Sequence, residues 1–141
     1  MSTTVTSISK NSYLSRLQEM REHGGAVSTT GIASDVIGEF LRIDDSLGNA
    51  IERAWSHYVE LRDSNPAFLE LDETAQVETA QAGFTNFYDV AAVNPYVAAA
   101  AEGPWIVTLK GAVVYDCGGY GMLGLGHAPG AVLDAGSLGQ R

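Results

Sequence analysis

The chain has 141 residues, which is enough for one folded domain and too few for two domains of ordinary size. Hydrophobic residues make up 45% and charged residues 18% of it, a composition typical of a globular rather than a disordered protein. Eight basic against 17 acidic side chains give a formal net charge of -9, which disfavours nucleic acid and anionic membrane surfaces as partners.

Cysteine content and hydropathy bear on the cellular compartment and on whether the chain crosses a membrane. Cys117 is the only cysteine, which excludes an internal disulfide and a cysteine-cluster zinc site and predicts a reducing, cytoplasmic compartment. The longest uncharged stretch, residues 117–133, is rich in glycine and shorter than the about 20 apolar residues of a membrane-spanning helix. The polar N-terminal residues lack the apolar core of a secretory signal. We therefore expect no membrane segment.

Charge divides the chain into two parts. Residues 1–102 carry the whole net charge of -9, whereas the last 39 residues hold 10 of the 16 glycines and only four charged side chains. The first composition is typical of solvated helices, and the second of backbone that another surface covers. We predict an acidic helical region over residues 1–93, and an arm, β-hairpin, glycine-rich loop and short helix over residues 94–141.

Apolar residues in the first part recur at the spacing of a helix face. The expected starts of four helical stretches are Asn11 or Ser12, Ser34, Asp45 or Ser46, and Asp72. The first ends at Gly24, the third at Pro66, and the last runs towards Phe84, Phe87 and Tyr88. The expected apolar faces are Leu14, Leu17 and Met20; Val36, Ile37, Phe40 and Leu41; and Leu47, Ile51, Ala54 or Trp55, Tyr58 and Leu61.

The second part changes to a strand pattern. Residues 105–109 and 112–115 are rich in β-formers and flank Lys110 and Gly111, which predicts a hairpin with a two-residue turn. The alanine-rich residues 97–101 fit either a turn of helix or an extended arm. Pro129 stands at a plausible first position of a short helix. The sequence therefore predicts an α+β fold, with N-terminal helices followed by a hairpin, a glycine-rich loop and the start of a helix.

Three familiar chemistries are not expected. Gly119, Gly121 and Gly124 have the G-x-G-x-x-G spacing of a dinucleotide site, but that fold needs another strand and an acidic residue about 20 positions on. Only 17 residues follow Gly124. The three histidines, His23, His57 and His127, are far apart and lack the spacing of metal ligands. We expect Cys117 to behave as a small hydrophobic residue rather than as a nucleophile.

An ordered set of short motifs occupies the region from Asn94 onwards. The set comprises residues 94–96 (NPY), 103–116 (GPWIVTLKGAVVYD), Tyr120 and 126–129 (GHAP). It resembles the N-terminal segment of class III aminotransferases, pyridoxal-phosphate enzymes of fold type I such as the ornithine, lysine and 4-aminobutyrate aminotransferases. In that family a glycine opens a small hairpin, an aspartate ends its second strand, and a G-H-x-H-P motif precedes a helix. The corresponding residues here are Gly103, Gly111, Asp116, Gly126 and His127, over about a third of the chain. The second histidine of the family motif is missing, because Ala128 and Pro129 follow His127 directly.

The resemblance implies part of a dimeric enzyme that moves an amino group from an amine or amino acid to a 2-oxo acid. It implies that this segment contributes substrate-side closure and dimer contact, either with a second copy or with the remaining aminotransferase portion. Tyr96 and Tyr120 correspond to family aromatics that contact the small amine or amino-acid substrate. The competing interpretation of both tyrosines is ordinary packing. No residue of this chain corresponds to a catalytic residue.

The pyridoxal phosphate of the complete enzyme is held in the family by residues downstream of this segment. The lysines here are Lys10 and Lys110, in a polar terminus and a hairpin turn, and we expect neither to have the buried setting that lowers an amine pKa. We therefore expect no covalently bound cofactor and no transaminase activity in this chain alone. The rival hypothesis is a non-catalytic, acidic helical module that docks on a protein partner through its hairpin and glycine loop.

Overall fold

The fold, in a computed structural model that describes residues 10–85, 89, 92–117 and 124–138, is α+β, as predicted. Helices come first, a three-stranded antiparallel sheet follows, and a further helix lies near the C-terminus. The elements are α1 (Lys10–Glu22), α2 (Ser34–Phe40), α3 (Asp45–Ser64), α4 (Pro66–Glu70), α5 (Glu73–Gln81), β1 (Ala98–Glu102), β2 (Trp105–Thr108), β3 (Val113–Tyr115) and α6 (Gly130–Leu138).

The long helix α3 is the centre of the molecule, and its sequence pattern explains its position. Leu47, Ile51 and Tyr58 of its predicted apolar face are buried, as is Ala54 rather than Trp55, whereas Leu61 is only partly buried. Asn65 follows its last turn, and Pro66 begins α4 at the first helical position, where a missing N–H costs nothing. Against this face pack α1, α4 and the strands β1 and β2.

Asp44 fixes the start of α3 and also connects it to the sheet. Its carboxylate accepts hydrogen bonds from the backbone N–H of Ser46 (3.0 Å) and from the indole N–H of Trp105 (2.7 Å). Hydrogen bonds from Ser46, and then from Trp105, hold the pKa of Asp44 below its ordinary value. The helix itself begins at Asp45, one of the two predicted starts, and its cap Asp44 also holds the sheet through Trp105.

The shorter helices follow the predicted pattern with three differences. The helix α1 begins at Lys10, so Asn11 and Ser12 lie within its first turn rather than at its cap. In α2, Ile37 is buried, but Val36 is 40% exposed, because a helix of seven residues buries only one narrow stripe. The helix α5 ends at Gln81, and Phe84 is 78% exposed, so the predicted continuation to Phe84 is wrong. The nearby Gly83 has a φ of +85°, which a helix does not contain. Phe87 and Tyr88 lie outside the described residues.

The sheet has the strand order β1-β2-β3, so the hairpin gains a third strand from the alanine-rich arm. Ala98 pairs with Thr108 and Glu102 with Trp105, which resolves the arm as extended rather than helical. All four residues of β2 are buried, between its two neighbours and beneath α3. The central strand is therefore the part of the sheet that belongs to the core.

The hairpin turn is one residue longer than predicted. Thr108 pairs with Ala112 through a 2.9 Å backbone hydrogen bond, so residues 109–111 form a three-residue loop. Within it the N–H of Gly111 donates to the carbonyl of Thr108 (3.0 Å), and Gly111 has a φ of +72°. A turn followed by one left-handed glycine is a common way to close a three-residue hairpin. Gly111 is thus the positive-φ residue, as predicted, but the turn that contains it has three residues rather than two.

One hydrophobic core includes side chains from both sequence regions. Its buried members are Leu17, Met20, Ile37, Leu47, Ala50, Ile51, Ala54, Tyr58, Leu69, Trp105, Val107, Leu109 and Val113. The helix α6 differs, because Val132 and Leu133 are both more than half exposed. No helix in the described part of the chain is long and apolar enough to cross a membrane.

Candidate functional site

The first candidate site is a joint between the start of the hairpin and the residues before α6. Gly103 and His127 exchange two backbone hydrogen bonds, of 3.0 and 2.7 Å. The Nε2 of His127 lies 2.9 Å from the Oδ2 of Asp116, which follows β3. The backbone N–H of Asp116 donates to the carbonyl of Pro104 (2.8 Å). Three positions that are distant in sequence, residues 103–104, Asp116 and His127, therefore form one connected unit.

Glycine is required in this joint for a physical reason. Gly126 has a φ of +70°, and a Cβ there would lie 2.8 Å from the carbonyl oxygen of Gly103. Gly103 has a φ of +56°, and a Cβ there would lie 2.9 Å from the hydroxyl of Ser46 at the start of α3. The absence of a Cβ at both positions therefore allows the two backbones to come close enough to exchange hydrogen bonds.

The His127–Asp116 pair is only partly shielded from water. Their side chains are 38% and 28% exposed, so the pair contributes about 0–1 kcal/mol to stability. The carboxylate orients the imidazole through Nε2 and thereby fixes the direction of the other ring nitrogen. Cys117 is exposed, contrary to our expectation of a small core hydrophobe, because it follows the edge strand β3. His127 therefore pairs with a carboxylate and not with the thiol.

Tyr96, one of the two predicted substrate-contacting tyrosines, lies beside a cavity of about 290 Å³. The cavity is lined by Val77, Ala80, Gln81, Ala92, Val93, Asn94, Tyr96 and Val97. Burial, and then the negative charge of Asp116, raises the pKa of Tyr96, so its phenol keeps its proton and can donate a hydrogen bond. Asp116 therefore acts electrostatically on Tyr96 and also belongs to the joint through its contact with His127. Tyr120, the second predicted tyrosine, lies outside the described residues.

Lys110 differs from its predicted setting. The residue does lie in the hairpin turn, but it is only 2% exposed, so the expectation that it lacks a buried environment is wrong. Its Nζ donates to the carbonyls of Leu69 (2.8 Å) and His23 (3.2 Å), at the ends of α4 and α1. Burial lowers the pKa of Lys110. The hairpin docks against two helix ends, where a cation is favoured by unpaired carbonyls.

The end of α4 is the point at which three other segments meet. Its last carbonyls accept hydrogen bonds from the side chain of Gln76 at Phe68 (3.0 Å), from Lys110 at Leu69, and from the N–H of Gly25 at Glu70 (3.0 Å). Each donor belongs to a different element, since Gln76 is in α5 and Gly25 follows α1. A helix of five residues, of which only Leu69 is buried, is thereby fixed against the core.

Glu73 is a second buried charge that its sequence position did not reveal. As the residue after the cap Asp72 it resembles an ordinary acidic helix start, and Asp72 does cap α5 through the N–H of Ala75 (2.7 Å). Glu73, however, is 1% exposed, and its Oε2 accepts from the N–H groups of Ser28 (2.9 Å) and Thr29 (2.6 Å). The carboxylate therefore holds the segment before α2.

Pyridoxal phosphate does not fit the described residues. The amine of Lys110 is engaged by two backbone carbonyls and is almost fully enclosed, so an aldehyde cannot approach it. The charges of Glu70, Glu73 and Asp72 act on this lysine and would repel a phosphate placed beside it. The described residues likewise contain no group of three or more His, Cys, Asp or Glu side chains suited to a metal ion.

Comparison of the chain with protein-family models, with curated proteins and with solved structures finds no match. The resemblance to class III aminotransferases therefore depends on the quoted motifs alone.

The buried lysine leads to a stability prediction. Lys110→Met should lower the free energy of unfolding at pH 7 by about 1–3 kcal/mol, because a buried carbonyl at Leu69 and a part-buried one at His23 lose their donor. Chemical denaturation measures this, and Lys10→Met, at an exposed lysine, should change stability by less than about 0.5 kcal/mol.

The stability of the wild type and that of Lys110→Met should depend differently on pH. The folded pKa of Lys110 lies below its unfolded value of 10.5, so between these two values the unfolded chain binds more protons. The free energy of unfolding of the wild type should therefore rise relative to Lys110→Met as the pH approaches 10.5. A difference that stays constant or narrows would contradict the buried position of this ammonium group.

Proposed function

We propose that the chain is the N-terminal portion of a pyridoxal-phosphate-dependent aminotransferase, which transfers an amino group from an amine or amino acid to a 2-oxo acid. The observation that supports this proposal is the joint of Gly103, Asp116, Gly126 and His127. These residues carry the resemblance, and in the fold they contact one another for steric and electrostatic reasons. The two ends of any hairpin meet, but the hairpin itself does not require that Gly126 and His127 return to Gly103 and Asp116.

In this proposal the chain supplies substrate-side closure and dimer contact, in the cytoplasm. Tyr96 would present a protonated phenol to the carboxylate or carbonyl oxygen of a small substrate, with Tyr120 as the second aromatic contact. Its flat ring would also limit the access of water to that side of the site. Asp116 and His127 would hold the hairpin and the residues before α6 in fixed relation.

The cofactor and its lysine would come from the remaining aminotransferase portion. Pyridoxal phosphate supplies the electron sink of transamination when bound, and a protein supplies orientation and electrostatics. The enclosed Lys110 and its acidic neighbours are consistent with this division, since the described residues offer the cofactor neither an accessible amine nor a phosphate cradle.

The test is to express any reading frame that continues beyond codon 141 joined to this chain, and the chain alone. Amino transfer from an amine to a 2-oxo acid should be measurable only in the joined protein. Tyr96→Phe should lower its kcat/KM, while Tyr115→Phe, at an exposed tyrosine of β3, should leave it unchanged. A continuing frame without a cofactor-binding lysine, or a joined protein that binds no pyridoxal phosphate, would refute the proposal.

A second candidate function, the non-catalytic interaction module, is favoured by one observation. The core combines side chains of α1 and α3 with those of β2 and β3, as in a domain that folds by itself, while α6 leaves Val132 and Leu133 exposed to a partner. Sedimentation velocity of the chain with and without the remaining aminotransferase portion separates the two. Stable association with that portion supports the aminotransferase proposal. A compact monomer that does not bind it supports the non-catalytic interaction module.

A further inference from the structure

A groove of about 310 Å³ lies between the second half of α3, the helix α4 and the edge strand β1. Its lining is His57, Glu60, Leu61, Ser64, Phe68, Val97, Ala98, Ala99 and Leu109, all within the described residues. It contains none of Tyr96, Asp116 and His127, although Val97 lines both this groove and the cavity beside Tyr96. A volume of this size suits a small organic molecule.

The side chains of this groove divide into an apolar floor and a polar rim. Leu61, Phe68, Val97 and Leu109 provide aliphatic and aromatic surface, and Leu109 is itself a member of the buried core. An apolar ligand body placed here would leave water without losing hydrogen bonds. The floor thus accounts for affinity, while the rim determines which polar group a ligand must carry.

The rim side chains offer hydrogen-bond acceptors and no free donor when His57 is neutral. The Nδ1 of His57 lies 2.6 Å from the carbonyl of Ala99, and because a carbonyl only accepts, Nδ1 carries the proton and Nε2 is the acceptor. The hydroxyl of Ser64 donates its hydrogen to the carbonyl of Glu60 (2.7 Å). Within the described part of the chain, no cation or hydrogen-bond donor pairs with the carboxylate of Glu60.

These features select one class of ligand. We propose that the groove binds a small primary amine with an apolar body, whose ammonium group donates hydrogen bonds to the carboxylate of Glu60 and to the Nε2 of His57. A primary ammonium has three donors and no acceptor, which matches a rim of acceptors, and its charge complements Glu60. The net charge of -9 further raises the local concentration of cations and lowers that of anions. This binding site is independent of the proposed aminotransferase role.

The experiment is a titration of the complete isotope-labelled chain with 2-phenylethylamine, followed by amide chemical shifts in NMR spectra. We expect saturable shifts concentrated at the groove, at Leu61, Phe68 and residues 97–99, with a dissociation constant of roughly millimolar order. Phenylacetate has the same ring and the opposite charge, and it should cause no saturable shift there. Glu60→Gln should weaken amine binding about fivefold, whereas Glu78→Gln, at an exposed acid of α5, should not.

A second variant fills the groove instead of changing its charge. Ala98 is an exposed residue of β1 in the lining, so Ala98→Phe should place a ring in the groove and abolish binding. Amine shifts scattered over the surface, equal binding of phenylacetate, or unchanged affinity in Glu60→Gln would each overturn the proposal. If Ala98→Phe fails to fold, the Glu60→Gln comparison still decides, because that side chain is exposed and pairs with no described residue.

Discussion

Replacing Trp105 by alanine should lower the free energy of unfolding by about 3–5 kcal/mol, the usual cost of removing a buried aromatic side chain. Trp105 is the largest fully buried side chain of the described core, at 1% exposure. Its ring makes edge contacts with Phe40 and Tyr115, with centroid distances of 5.0 and 5.1 Å. The substitution also removes the indole donor from Asp44 at the start of α3. Chemical denaturation followed by circular dichroism measures the effect.

Two further variants separate the contribution of the buried ring of Trp105 from that of its hydrogen bond to Asp44. Trp105→Phe keeps an aromatic ring but no N–H, so its smaller cost of about 1–2 kcal/mol reports mainly the lost hydrogen bond to Asp44. Trp55→Ala is the matched control, because Trp55 is only half-buried and packs at the edge of the core. A Trp105→Ala variant as stable as Trp55→Ala would refute the assignment of the hairpin to the same core as α3.

Gly111→Ala should lower the free energy of unfolding by about 3–5 kcal/mol, through two effects at one residue. The φ of +72° is unfavourable for any residue with a Cβ. The new Cβ would in addition collide with the carbonyl oxygen of Leu17 and lie 3.1 Å from the Cβ of Met20 in α1. Because the opposing atom is backbone, the helix itself must move, and Lys110 must move with the turn.

Gly83→Ala is the control that isolates the backbone cost. Gly83 has a φ of +85°, but a Cβ there meets nothing within 4 Å. Its substitution should therefore cost only about 1–2 kcal/mol, the price of the left-handed conformation. The difference between the two variants in one denaturation experiment measures the clash of the hairpin turn with α1. Equal values for Gly111→Ala and Gly83→Ala would show that the turn does not dock on that helix.

Helices were the most predictable part of this fold, because their signals are local. Asp72 precedes a helix and caps it, and the residues of the α3 face recur at the helical period, so both features can be derived from the sequence. The strand β1 could not be derived in the same way. Ala98 and its alanine neighbours have no strong strand preference, and they are extended because β2 pairs with them and α3 covers them.

The environments of the candidate-site residues were also only partly predictable from the sequence. The resemblance identified Gly103, Asp116 and His127 one by one, but only the folded chain shows that they contact one another. Lys110 was misjudged, because nothing in a hairpin turn reveals that two helix ends lie opposite it. Glu73 was missed for a related reason, since a buried acid after a cap has the same sequence pattern as an exposed one. Long-range partners, rather than local propensity, decide these environments.

The claim that this chain shapes an aminotransferase site without carrying its cofactor lysine has one direct test. The purified chain is incubated with pyridoxal phosphate, dialysed and reduced with borohydride, and its peptides are analysed by mass spectrometry. We predict no stoichiometric pyridoxyl adduct on Lys110, whose amine is enclosed between the carbonyls of His23 and Leu69, while the exposed Lys10 serves as the control for non-specific labelling. A stoichiometric, dialysis-resistant adduct on Lys110 would contradict the account.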